Sequence, residues 1–165
     1  MTPVTTPREA VAEDSAPLAR LWWQGWTDAH AAISPPDLVR LRTPESFAER
    51  MAAALPRVRV IGPAGAPVGF HLINGDELNQ FYVAASARGT GVAAALMADA
   101  EACLAAQGVE TAWLACAVGN PRAARFYEKS GWSRIGTHRH LAETSAGPIP
   151  LDVWRYEKRP EGALR

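Results

Sequence analysis

Arg88-Gly89-Thr90-Gly91-Val92-Ala93 joins a fixed positive charge to two glycines at the start of a helical segment. Glycine allows positive φ and leaves room for a ligand against the main chain. The first N–H groups of a helix lack internal acceptors and carry the positive end of its dipole, so they favour an anion. A guanidinium adds planar donors that match phosphate oxygens. The chemistry offered here is phosphate binding. The thiols Cys103 and Cys116 form no CxxC pair and read as reduced core residues, one on a helix and one on a strand.

The elements around the cradle follow from periodicity and punctuation. A first strand is expected near Arg8–Val11, and Glu13-Asp14-Ser15 is expected to cap a helix from about Ala16. That helix carries Leu18, Leu21, Trp22 and Trp26 at helical spacing. Trp22 and Trp23 are adjacent and cannot both face a core, so the tryptophans read either as packing or as the lining of a cleft. A second helical region starts near Asp37, with a further piece from Thr43-Pro44 in which Thr43 is the cap. Short strands then follow at Arg57–Ile61, Pro67–Ile73 and Glu77–Val83, the last two joined by the hairpin signal Asn74-Gly75. A helix from Gly91 to Gln107 is closed by Gly108, and Thr111–Val118 reads as a buried strand. Asn120-Pro121 opens a short helix that Gly131 ends, and Trp132–His140 with Leu151–Lys158 forms a terminal antiparallel pair. The order β, α, α, β, β, β, α, β, α, β, β describes a mixed α/β fold, expected as one domain over 1–165 with its core at about 8–158.

Which phosphate the cradle holds depends on its context. Gly89-Thr90-Gly91-Val92-Ala93-Ala94 satisfies G-x-G-x-x-A, a dinucleotide fingerprint. That fold also needs an acidic residue at the end of the next strand, and Thr111–Val118 has none. No Gly-Lys-Ser/Thr follows for a P-loop. Instead Arg88–Ala93 resembles the Arg/Gln-x-x-Gly-x-Gly/Ala loop of the GNAT superfamily of N-acetyltransferases. A second motif of that family, Asn-x-x-Ala-x-x-Phe-Tyr-x-x-x-Gly, is similar to Asn120–Gly131, and the order of elements agrees from about Arg8 to Lys158.

The resemblance implies a mostly antiparallel sheet with flanking helices, whose splayed central strands form an acyl-CoA cleft. It implies acetyl-CoA as co-substrate, no metal, and direct attack of a primary amine on the thioester. The pantetheine arm would pair with Phe81, Tyr82 and Val83. The pyrophosphate would lie on Arg88, Gly89, Thr90, Gly91, Val92 and Ala93, where main-chain N–H groups matter more than the side chains of Thr90 and Val92. A backbone N–H near Val83 would polarise the thioester carbonyl. Asn120 would cap its helix and touch the cofactor, and Arg125, with Arg122, would reach a phosphate.

Glu77 lies eleven residues before Arg88, where many family members carry a general base. It reads either as that base or as a solvated strand start, with His71 and His30 as reserves. Tyr127 matches the tyrosine that protonates the departing thiolate, or else it packs beside Phe126. Trp26 and His30, with the loop Glu143–Pro150, would line the acceptor side. The acceptor is a small-molecule amine, a peptide N-terminus or a lysine. A longer acyl group, given room by Ala84, Ala85 and Ala115, and a non-catalytic acyl-CoA-binding module are the alternatives. A homodimer is compatible with the family.

Bulk properties narrow the partners. Seventeen basic and seventeen acidic side chains cancel, so no global field attracts nucleic acid or an anionic membrane. No apolar run approaches the ~20 residues that span a bilayer, and the first fifteen residues lack the pattern of a secretory signal. A cytoplasmic enzyme is the expectation.

Overall fold

The computed structural model describes residues 5–160. Its elements are β1 (Pro7–Glu9), α1 (Ser15–His30), α2 (Pro36–Leu41), α3 (Pro44–Ala54), β2 (Val58–Ile61), β3 (Gly69–Asn74) and β4 (Glu77–Val83). They continue with α4 (Val92–Ala106), β5 (Ala112–Ala117), α5 (Pro121–Lys129), β6 (Ser133–Ala142) and β7 (Ile149–Lys158). The strands form one seven-stranded sheet in the order β1-β2-β3-β4-β5-β7-β6, antiparallel except where β4 meets β5. This is the mixed sheet with flanking helices that the sequence predicts.

The exception shapes the molecule. β4 and β5 run parallel and register at a single pair, Glu77 with Trp113. Beyond it the two strands part, and their facing edges stay open up to Val83 and Ala117. A bulge helps to turn β4: Leu72 pairs with Gln80 but Ile73 pairs with Leu78, which leaves Asn79 as the extra residue. The extra residue also resets the alternation of side chains. Leu78 and Phe81, three apart, both pack toward α4 and α5, whereas Tyr82 packs toward α1 and α3.

Two apolar layers cover the sheet. On one face Leu18, Trp22, Phe47 and Met51 from α1 and α3 meet Val58, Val60, Phe70 and Leu72. On the other, Met97, Ala100 and Leu104 of α4 and Ala124 of α5 meet Leu78, Leu114, Trp132 and Tyr156. Burial of this apolar area is the main drive for folding, at about 25 cal/mol per Å².

Local details depart from the sequence reading in three places. Asp14 precedes α1 but does not cap it. Its fully buried carboxylate accepts from Arg8 at 2.8 and 3.1 Å, from the Val11 N–H at 2.8 Å and from the Gly65 N–H at 2.9 Å. The first strand stops at Glu9, short of Val11. Thr43, by contrast, takes extended backbone and caps α3 through a 3.1 Å bond from the Ser46 N–H, as the sequence predicts. The final hairpin is longer than expected, with pairing carried to Ala142 and Ile149.

Candidate functional site

The cradle is built by backbone. Gly89 and Gly91 hold φ of 74° and 88°, values that glycine tolerates and other residues resist. A Cβ at either would meet nothing within 4 Å, so the space above the loop is open. Ala95 is the first residue of α4 whose N–H reaches a helical acceptor, Gly91 O at 3.1 Å, which leaves the N–H groups of Val92–Ala94 facing outward. The Thr90 hydroxyl turns back to the Ala87 carbonyl and Val92 is buried, so neither side chain aims at a ligand. Arg88 is exposed beside the loop. These residues fit a phosphate-bearing group.

Next to the cradle lies the gap between β4 and β5. Strand alternation decides which β4 residues face it. The Ala84 N–H bonds Val68 O at 2.8 Å, so Ala84 and Tyr82 direct their backbone groups to the β3 side, and Phe81 and Val83 direct theirs to the gap. Phe81 and Val83 thus present an unpaired edge to an extended ligand. Tyr82 differs from its neighbours. Its backbone belongs to β3, and its ring stacks on Phe70 with centroids 5.8 Å apart, on the α1 side of the sheet.

Tyr127 lies beneath the gap. It packs between Phe126 and Tyr156 at centroid distances of 5.7 and 6.0 Å, in the cluster that includes Phe81 and Cys116. Burial raises its phenol above the ordinary range, and nearby Cys116 and Tyr82 add to that rise, so it stays protonated. Burial likewise pushes the Cys116 thiol up to about 11. Asn120 caps α5 by accepting from the Ala123 N–H at 3.4 Å. Arg122 and Arg125 are exposed on the same helix.

Glu77 stands at the closed end of the gap, where β4 pairs with β5. Its neighbour Leu78 packs toward α4, so Glu77 projects to the opposite face, the side of Tyr82 and α1. Asn79, the bulged residue, donates to its carboxylate at 3.1 Å.

The α1 side carries the expected acceptor residues. Trp22 is buried against Phe47 and Phe70, whereas Trp23 and Trp26 are half-buried. Trp26 lies 5.6 Å from the His30 ring, and the His30 Nδ1 is 3.2 Å from Trp26 O. Burial lowers the His30 pKa and keeps the imidazole neutral. Two residues that the sequence reading passed over complete this side. Arg50 lies 4.2 Å over the Trp22 ring and 5.1 Å over Phe47, and Arg42 is 9% exposed. Burial, with Arg42 nearby, pushes the Arg50 guanidinium down to about 10.

His71 occupies the other face. Its Nε2 is 2.8 Å from Asp99, which also accepts two bonds from Arg59 at 2.7 and 3.0 Å. Burial alone would raise the Asp99 carboxyl, but these bonds outweigh it and hold it at about 2. His71, Asp99 and Cys103 present donor atoms within 4.8 Å of one another. The Arg59 guanidinium stands against a metal cation there, and His71 is spent on α4, away from Glu77 and the gap.

Comparisons with known proteins bear on the family and the fold. The sequence profile of the Acetyltransferase (GNAT) family matches residues 18–132. Uncharacterised N-acetyltransferases of Mycobacterium bovis and Mycobacterium tuberculosis are 42% identical over 78 residues, 44% of this chain. The match spans 50% of the length of those relatives. A GCN5-related N-acetyltransferase from Rhodopseudomonas palustris superposes with a TM-score of 0.72 at 20% identity, over 96% of this chain and 98% of that one. An N-acetyltransferase from Thermoplasma acidophilum, solved with coenzyme A, gives 0.65 at 16% identity over 93% and 98%. No described helix is long and apolar enough to cross a membrane. With the family profile running from Leu18 within α1 through the glycine loop and α5 to Trp132, the chain belongs to the GNAT acetyltransferase family.

Proposed function

We propose that the protein transfers the acetyl group of acetyl-CoA to a primary amine held on the α1 side of β4. The observation that carries this reading is the unpaired edge of Phe81 and Val83 opening beside the glycine cradle. In that arrangement the pyrophosphate sits on the N–H groups of Val92–Ala94, and Arg88 offers a further contact. Acetyl-CoA supplies the activated acyl carbon. The N–H groups at Phe81 and Val83 stabilise negative charge developing on the thioester oxygen.

An amine must lose a proton to react, and Glu77 is the carboxylate on the acceptor side. It lies four residues from Phe81, about 13 Å along a strand, so it works through intervening water. The ammonium first gives up one proton to solvent. The neutral amine then attacks, the N–C bond forms and the C–S bond breaks, and the second N–H proton passes through water to Glu77, which releases it to solvent. The departing thiolate takes a proton from Tyr127, which solvent then restores.

Thermal unfolding tests the cofactor assignment. Acetyl-CoA should raise the melting temperature, NADH should not, and Gly91→Asp should abolish the shift by putting a negative charge in the cradle. Stabilisation by NADH alone would reverse the assignment. A thiol-release assay over amino acids, polyamines and peptides tests turnover; binding without release from any of them would leave an acyl-CoA-binding module.

A further inference from the structure

Arg42 is a buried cation and Arg50 a half-buried one, and among the described residues neither has an anion. Among the described residues, the ion pairs join Arg8, Arg40, Arg59, His71, Arg134, Arg155 and Lys158 to carboxylates, and neither Arg42 nor Arg50 takes part. The Arg42 Nε and the Arg50 Nη1 are sealed from solvent with no hydrogen-bond partner. The Arg50 guanidinium lies over the faces of Trp22 and Phe47. Removing a guanidinium from water costs several kcal/mol unless a partner compensates it, and the second cation makes the cost of the first larger. A fold that keeps both has left their neutralisation to something else.

Their position indicates what. Arg42 follows α2, and Arg50 on α3 lies over the Trp22 ring, which packs on Phe70 at 5.7 Å, which in turn stacks on Tyr82 at 5.8 Å. Tyr82 sits on the α1 side of β4 and is also near enough to affect Tyr127. The two charges therefore border the acceptor side of the transfer site, separate from the glycine cradle before α4. Guanidinium forks match planar oxyanions and bind them bidentately.

We infer that the acceptor amine itself carries an oxyanion, a carboxylate or a phosphonate, which Arg42 and Arg50 hold while the amine reaches the thioester. The amine half of this statement rests on the acetyltransferase reading; the oxyanion half rests on the arginines alone.

Calorimetric titration of the full chain, with and without saturating CoA, tests it. The probes are N-acetyl derivatives of the common amino acids and of aminoalkylphosphonates, each beside its neutral amide or ester. At least one acid should bind about 30-fold or more tighter than its neutral partner, the loss expected when a buried charge goes unpaired. Arg42→Gln and Arg50→Gln should each remove that preference and leave the affinity for CoA intact, and Arg42→Lys should restore part of it. The stronger of the two acid series identifies the oxyanion. Without ligand, Arg42→Gln should melt no lower than the parent chain, because it removes an unpaired buried charge. Equal binding of acids and neutral partners, absence of binding by every acid, or variants that lose stability without losing acid preference would each overturn the inference. Failure of CoA to bind, with acid preference retained in its absence, would instead remove the acetyltransferase reading and keep the oxyanion site.

Discussion

Tyr127 holds its proton firmly beneath the gap between β4 and β5. Desolvation fixes it in the neutral form, which suits a group that must meet a thiolate. Tyr127→Phe should lower kcat by about 100-fold, the usual scale for one positioned acid, with acetyl-CoA affinity nearly unchanged. Equal kcat in the two proteins would return Tyr127 to a packing role. Tyr127, Asn120 and the cradle glycines are legible in the sequence because a short local motif carries each of them. Arg42 and Arg50 are not. A sequence shows that an arginine is present, but its lack of a partner is a property of everything packed around it.

Elements meet closely where residues are small. Gly25 of α1 faces the Tyr82 ring, and a Cβ there would stand 2.6 Å from the Tyr82 Cδ1. An aromatic ring cannot yield as a flexible chain end would. Gly25→Ala should therefore destabilise the protein by about 1–2 kcal/mol, as overpacking outweighs the gain in helix propensity. It should also weaken acceptor binding while sparing acetyl-CoA, since Tyr82 turns its ring to the acceptor side. A chain that melts higher and keeps its acceptor affinity would show that the helix moves away freely. The sequence predicts α1, β4 and the turn at Asn74-Gly75 well, because periodicity and turn chemistry are local. It misses the bulge at Asn79, which depends on pairing with β3.

Across the whole molecule, buried carboxylates set the response to acid. Hydrogen bonds from Arg8 hold Asp14 at about 2 against the opposing effect of burial, and Asp99 is held at a similar value. Their folded values lie below the unfolded value of about 3.9. The stabilisation they give is full above about pH 4 and is lost as pH falls toward 2. His30, kept neutral by burial, adds a shallower loss that begins below about 6.5. The urea midpoint should thus decline slightly from pH 7 to 5 and steeply from 4 to 2; a midpoint unchanged at pH 2.5 would refute this account. From the sequence by itself come the element order, the anion cradle and the family, because periodicity, glycine and a short motif act over few residues. Tertiary structure alone decides that β4 and β5 part after one register pair, that Phe81 and Val83 are left unpaired, and that Arg42 and Arg50 have no carboxylate partner among the described residues. Those features depend on which distant groups come to lie side by side, and neighbours in the chain do not encode that.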